Sequence, residues 1–198
     1  MFENQGLPLF DFSNQLAPAP GRLLVANPLM PDGSFKRSVI LLTEHHETEG
    51  TLGFILNREM DLQLSDVLDI TDIDTFALSN GGPVQMDTLH FVHRVPDIFP
   101  NSDEICEDVY WGGSFDMLRL HLQNQRLNTT EVKFFVGYAG WSPGQLAGEI
   151  EQESWVVCPG NAEIVFETEP ESLWRKALLL MGDTYKTIAN FPKDPRLN

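Results

Sequence analysis

Val132-Lys-Phe-Phe-Val-Gly-Tyr-Ala-Gly-Trp-Ser-Pro-Gly-Gln-Leu146 decides how the rest of this chain is read. Its first five residues form a nearly continuous apolar run, the pattern of a strand buried on both faces. Gly137, Gly140 and Gly144 then mark a sharp turn that lets Tyr138 and Trp141 pack. Ser142 and Gln145 have capping-box spacing, and Pro143 stands at the first helical position. The spacing predicts a helix from there to about Glu153 that buries Leu146, Ala147 and Ile150. A buried strand, a glycine turn and an amphipathic helix in succession point to a mixed α and β architecture.

Toward the N-terminus, Leu23–Ala26 is a short buried strand ended by Asn27-Pro28. Ser38–Glu44 and Thr51–Asn57 read as two strands joined by the hairpin loop His45–Gly50. Asp61–Ile70 carries Leu64, Val67 and Leu68 at helical spacing, with Asp61 and Ser65 as candidate caps. Asn80-Gly81-Gly82-Pro83 is a turn signal, and Leu89–Val92 and Val109–Trp111 are strand-like. A helix capped by Ser114 offers Phe115, Leu118 and Leu122 as its buried stripe. Toward the C-terminus, Trp155–Cys158 and Ile164–Phe166 read as strands. Thr168 and Glu171 form a second capping box around Pro170. The helix it opens buries Leu173, Trp174, Ala177, Leu178 and Met181, and Gly182 ends it.

These segments alternate irregularly, without a βαβ rhythm or an internal repeat. The expectation is α+β: a single domain with a mixed, partly barrel-like sheet of short strands surrounded by about four helices. Residues 1–20 read as an N-terminal arm with a helical turn from Ser13, 21–182 as the domain, and 183–198 as a loosely held C-terminal tail.

Composition bounds the function. The chain has 198 residues, 29 acids and 13 bases, for a formal net charge of −16. DNA binding draws much of its affinity from Lys and Arg that displace counterions from phosphates. Here the adjacent basic pairs are Lys36-Arg37 and Arg175-Lys176, and no base lies between Phe134 and Trp174. A field this negative repels a duplex. No stretch has the length and apolarity of a membrane span or the pattern of a secretory signal. Two cysteines are too few for a disulfide framework. The expected location is the cytoplasm, with no membrane partner.

Catalytic patterns are hard to find. His90 and His93 are three apart on a strand, so they point to opposite faces and make a poor metal pair. His93 shares a face with Phe91 and reads as a hydrogen-bonded core residue. His45-His46 beside Glu44 lacks further ligands. No Gly-x-Ser-x-Gly elbow exists, and Ser114 and Ser142 are accounted for as caps. Cys106 lies between Glu104 and Glu107-Asp108, which raise a thiol pKa, and Cys158 sits in an apolar strand. No phosphate-loop or dinucleotide fingerprint is present. The free amides of Gly137–Gly144 could hold an anion, but no nearby base assists them. Glu149, Glu151 and Glu153 read as a solvated helix face. No metal or cofactor is expected.

Several ordered stretches together resemble the YqgE/AlgH family. They are Gly21–Pro28, Phe35–Leu42, Gly53–Arg58, Gly81–Val84, Leu89–His93, Gly137–Leu146, Trp155 and Leu173-Trp174, spanning roughly residues 20–182. The resemblance implies a bacterial cytoplasmic α+β protein with a complex, partly barrel-like sheet. It also implies a transcriptional-regulator label, with no agreed DNA-binding motif and no catalytic residues to carry over.

Three functions compete. The favoured one is an indirect transcriptional regulator that catalyses nothing and works by binding a protein partner or small ligand. Its surface would be Gly137, Tyr138, Gly140, Trp141, Ser142, Gly144 and Gln145, with His93. The alternative is a small-molecule binder or enzyme using the Gly137–Gln145 turn. The third, direct DNA contact, is disfavoured by charge. The sequence leaves the partner and the oligomeric state open.

Overall fold

In the computed structural model, which describes residues 16–30, 32–70 and 76–192, the apolar runs become strands buried on both faces. Strand β1 (Arg22–Ala26) shows the principle. Leu23 and Val25 enter one part of the core, while Leu24 and Ala26 enter another on the opposite face. Val39 and Leu41 against Ile40 and Leu42 repeat the pattern in β2 (Val39–His46), as do Val156 and Cys158 against Trp155 and Val157 in β10 (Trp155–Pro159). Side chains on a strand alternate faces, so a run without polar residues needs cover on both sides. Helix α4 (Pro170–Leu179) covers one side with Leu173, Trp174, Ala177 and Leu178. Helix α3 (Gln145–Glu151) covers the other with Leu146.

The remaining strands are β3 (Gly50–Ile55), β4 (Glu59–Gln63), β5 (Ala77–Asn80), β6 (Val84–His93), β7 (Asp103–Cys106), β8 (Val109–Trp111) and β9 (Val132–Trp141). Along the main path the order is β10-β1-β2-β3-β9-β6-β8-β7, with every neighbouring pair antiparallel. Strand β9 is where the path forks. One edge pairs with β6 through most of its length. The other is shared: Phe134–Val136 run parallel to β5, and Ala139–Trp141 run antiparallel to β3. A third part of the core, with Phe76, Leu78, Phe91, Phe99 and Phe134, packs beneath α2 (Phe115–Gln123) through Leu118 and Leu122. The result is a single α+β domain with a curled half-barrel sheet.

Several sequence expectations are corrected. The glycine segment does not turn; β9 continues through it to Trp141. Gly137 adopts φ +66°, and between Val84 and Leu89 the extra residues of a bulge lie in β6, so β9 stays paired on both sides of Gly137. The true turn is Ser142–Gly144, with Gly144 as the left-handed N-cap of α3 and the helix ending at Glu151. Within Asp61–Ile70 there is one helical turn, α1 (Leu64–Val67), after the strand β4. Pairing of β4 with β5 overrides the helical spacing, and Asp66 accepts the Gln63 N–H at 2.7 Å in place of the expected caps.

Ile164–Phe166 lies in a π-helical turn, Glu163–Glu167, set by Asn161 Oδ1 accepting the Ile164 N–H. Thr168 does not cap α4. Its hydroxyl donates back to the Glu163 carbonyl, and Glu169 takes the N-cap with Pro170 following. Ser114 is an N-cap without a side-chain bond. The tail is not loose as far as Ala189. A 3₁₀ turn, Asp183–Tyr185, and helix α5 (Lys186–Ala189) bury Tyr185, Ile188 and Ala189 in the same part of the core as α4. Of the N-terminal arm, Leu16 donates its N–H to Val157 at 3.3 Å and packs beside the Trp155 core; the proposed turn from Ser13 lies outside the described residues.

Candidate functional site

The predicted surface divides into a lock and a rim. Trp141 is buried, and its indole N–H donates to Glu149 Oε2 at 2.9 Å. Trp155, approaching from β10, donates to the same oxygen at 2.8 Å, with the two indoles edge to face. Gln145 Nε2 donates to the other carboxylate oxygen at 2.9 Å, while Gln145 Oε1 accepts the Ser142 N–H. One carboxylate therefore gathers three N–H donors and ties β9, α3 and β10 together. Only the Gln145 half of the predicted capping box forms. Glu149, read from sequence as solvated, is the centre of this network. Tryptophans on both sides of an acid-bearing helix were the signal available in the sequence.

Outside the lock, Gly140, Ser142 and Gly144 are exposed and Tyr138 is half-buried; Gln145 is exposed although it belongs to the lock. Tyr138, Gly140, Ser142 and Pro143 line one wall of an open groove of about 410 Å³, with Glu44 and Glu49 among the opposing residues. Gly137 sits below, buried, where an added Cβ would meet the Gly82 and Val84 carbonyl oxygens at 2.8 Å.

His93 does not join this surface. Register places it opposite Val132, at the end of β9 remote from Trp141. It is fully buried, stacked on Tyr110 and 4.5 Å from the Phe99 ring centroid, with Nδ1 accepting the Val95 N–H. Burial pushes its pKa down to about 4, opposed in part by the Gly112 backbone. The shared face with Phe91 is as expected. The histidine near Tyr138 is His90, whose ring meets Tyr138, Phe54 and Trp111, and burial lowers its pKa as well.

Reactive chemistry at the cysteines is disfavoured. Burial, with Glu104 and Glu107 adding to it, pushes the Cys106 thiol up to about 11. Burial alone pushes Cys158 up to about 12. Thiolates are scarce at neutral pH under those conditions. Among the described residues no group of three His, Cys, Asp or Glu side chains is placed to hold a metal ion.

The cations are less dispersed than the sequence suggests. Lys36, Arg37, Arg58 and Arg175 line a single cavity of about 820 Å³, on the side of the molecule where α4 begins.

Fold and site together define a class: an α+β domain with a half-barrel sheet and open grooves, held by an internal polar lock. The chain belongs to the AlgH-like family (DUF179), whose sequence model matches residues 23–186. A UPF0301 protein of Cytophaga hutchinsonii is 40% identical over 179 residues, covering 90% of this chain and 98% of that one. One from Chlorobium chlorochromatii is 38% identical over 179 residues, covering 90% and 94%. Among solved structures, protein DIP2367 from Corynebacterium diphtheriae superposes with a TM-score of 0.74 at 27% identity, covering 92% of this chain and 97% of that one. The solution structure of the AlgH protein from Pseudomonas aeruginosa, a UPF0301 protein, gives 0.69 at 27% identity, covering 90% and 97%.

Proposed function

We propose that this chain is an indirect transcriptional regulator, working in the cytoplasm by binding a protein partner at the groove beside Tyr138 and Ser142. The observation that carries this reading is the contrast within the predicted surface. Its polar groups at Trp141, Gln145 and Glu149 bond to one another, while Gly140, Ser142 and Gly144 stand exposed on a fixed scaffold. Rigid presentation of an exposed rim lowers the entropic cost of association. The groove's Glu44 and Glu49 favour a partner with basic or N–H-rich contacts. A formal charge of −16 weighs against DNA as the direct target. Two free cysteines fit a reducing compartment. No helix among the described residues is long and apolar enough to cross a membrane.

The test places a photo-crosslinker at Gly140 and compares the intact protein with Ser142→Arg. One cross-linked partner lost in Ser142→Arg, together with transcript changes shared by that variant and a deletion strain, is the expected result. A Ser142→Arg strain that behaves as wild type, with a gel shift by the purified protein surviving physiological salt, would overturn the reading in favour of direct DNA contact.

A further inference from the structure

The cavity lined by Lys36, Arg37, Arg58 and Arg175 is distinct from the Tyr138 groove and is assembled from four separate places in the chain. Lys36-Arg37 precede β2, Arg58 follows β3, Arg175 comes from the middle of α4, and Ala189 of α5 contributes to the lining. Three guanidinium groups are held in place by neutral oxygens. Arg37 Nη2 donates to the Phe191 carbonyl, and its guanidinium carbon lies 4.2 Å above the Trp174 ring centroid. Arg58 Nη2 donates to the Lys36 carbonyl. Arg175 Nε and Nη2 both donate to Asn190 Oδ1 at 3.3 Å.

None of the four makes an ion pair among the described residues, where the ion pairs are Arg94–Glu167 and Lys186–Asp183. In a chain with 29 acids and 13 bases, four neighbouring cations without a carboxylate partner are unexpected. Each guanidinium offers five N–H donors, so fixing it with one or two bonds leaves both charge and donors available.

The backbone is arranged to the same end. Arg37 sits at φ +55°, a left-handed conformation unfavourable for a residue that carries a side chain. Asn57 holds it there: Nδ2 donates to the Arg37 carbonyl at 2.9 Å and Oδ1 accepts the Val39 N–H at 2.9 Å. Burial lowers the Arg37 pKa without displacing it from the charged form at neutral pH.

We propose that this cavity binds a compact, multiply phosphorylated small molecule. The volume, about 820 Å³, falls within the roughly 300–1,000 Å³ of small-molecule sites. Glu59 and Glu171 also line it, so local charge is positive by a margin that suits a small anion inside an otherwise anionic molecule. Each phosphoryl group carries about −1.5 to −2 charges at neutral pH and three acceptor oxygens, so two of them engage all four cations. Trp174 is 3% exposed and capped by Arg37, which leaves it no free face for base stacking. The phosphates, not a nucleobase, are what the cavity reads. An extended duplex would have to leave this patch for a repelling surface.

Titration calorimetry with inorganic pyrophosphate in about 150 mM salt tests the proposal on the full chain. Saturable one-to-one binding is expected, weakened at least about tenfold in the double variant Lys36→Gln/Arg58→Gln. It should be unchanged in Arg119→Gln/Arg126→Gln, which removes the same charge from exposed positions outside the cavity; the thermal midpoints of both variants confirm folding. Absence of pyrophosphate binding, equal weakening in both double variants, citrate bound as tightly, or displacement by a short DNA duplex at this salt would each overturn it. None of these outcomes touches the Ser142→Arg test, so the two readings stand or fall separately.

Discussion

The α3 and α4 sides of the sheet treat their polar groups in opposite ways. On the α3 side, one carboxylate receives two indole N–H groups and an amide, and the network closes on itself. On the α4 side, guanidinium groups are oriented by neutral oxygens and form no ion pair among the described residues. A closed network holds elements together, because removing one member leaves buried donors without partners. An open one contributes little to stability and is positioned for something outside the chain. Much of the quoted 137–146 stretch is scaffold, and the freest electrostatics lie elsewhere.

The sharpest way to break this contrast is Glu149→Ala, which strands two indole donors and should cost about 3–4 kcal/mol in urea unfolding. Glu149→Gln keeps an acceptor and should recover much of that loss. If both variants unfold like the wild type, the lock is decorative and the contrast fails.

His93 extends the comparison to pH. In the unfolded chain its imidazole takes a proton near its ordinary pKa of about 6.5, whereas in the fold it resists to about 4. The unfolded state binds more protons across that interval. This contribution to stability is therefore full above about pH 6.5 and is lost as pH falls toward 4, by up to roughly 3 kcal/mol. His93→Phe, which suits the surrounding aromatic rings, should flatten that part of the stability–pH curve. An unchanged slope would mean the imidazole is not shielded as its burial implies.

Asn57→Ala, which frees the Arg37 backbone, should cost about 1–2 kcal/mol and weaken pyrophosphate binding together with stability. The smallest effect is expected from Lys36→Gln/Arg58→Gln, within about 0.5 kcal/mol of wild type in stability despite a large effect on binding. A large loss of stability there would make the cavity structural and the two sides alike.

Strands β1, β2, β3 and β10 are legible in the sequence because burial on both faces forces largely apolar runs. The strand break at Gly81-Gly82-Pro83 and the Pro170 helix start are legible through backbone chemistry. What escapes local reading depends on distant partners. Asp61–Gln63 belongs to a stretch with helical spacing yet lies in β4, whose Glu59 and Gln63 pair with Ser79 and Ala77 of β5. Gly137 looks like a turn residue until β6 is seen to pair with Val136 and Tyr138 on either side of it. Tyr185 and Ile188 look like a tail without α4 to receive them. Of the candidate surface, the exposure of Gly140, Ser142, Gly144 and Gln145 follows from their small or polar side chains, whereas two placements depend on distant partners: His93 belongs to a different part of the core, and Glu149 is bonded by Trp155 across the fold. The gathering of Lys36, Arg37, Arg58 and Arg175 is a property of tertiary structure alone, since only two of the four are neighbours in the sequence.

Strand β1 pairs residue by residue with β10, Arg22 opposite Pro159 and Ala26 opposite Trp155. During synthesis the first strand therefore waits for the last one. At roughly 5–20 residues per second, about 7–27 seconds pass before its outer edge can be covered. Through that interval a ribosome-bound Leu-Leu-Val-Ala edge is available to any other extended chain, a known route to misassembly. Shortening the C-terminus before Trp155 would leave that edge without its β10 partner permanently.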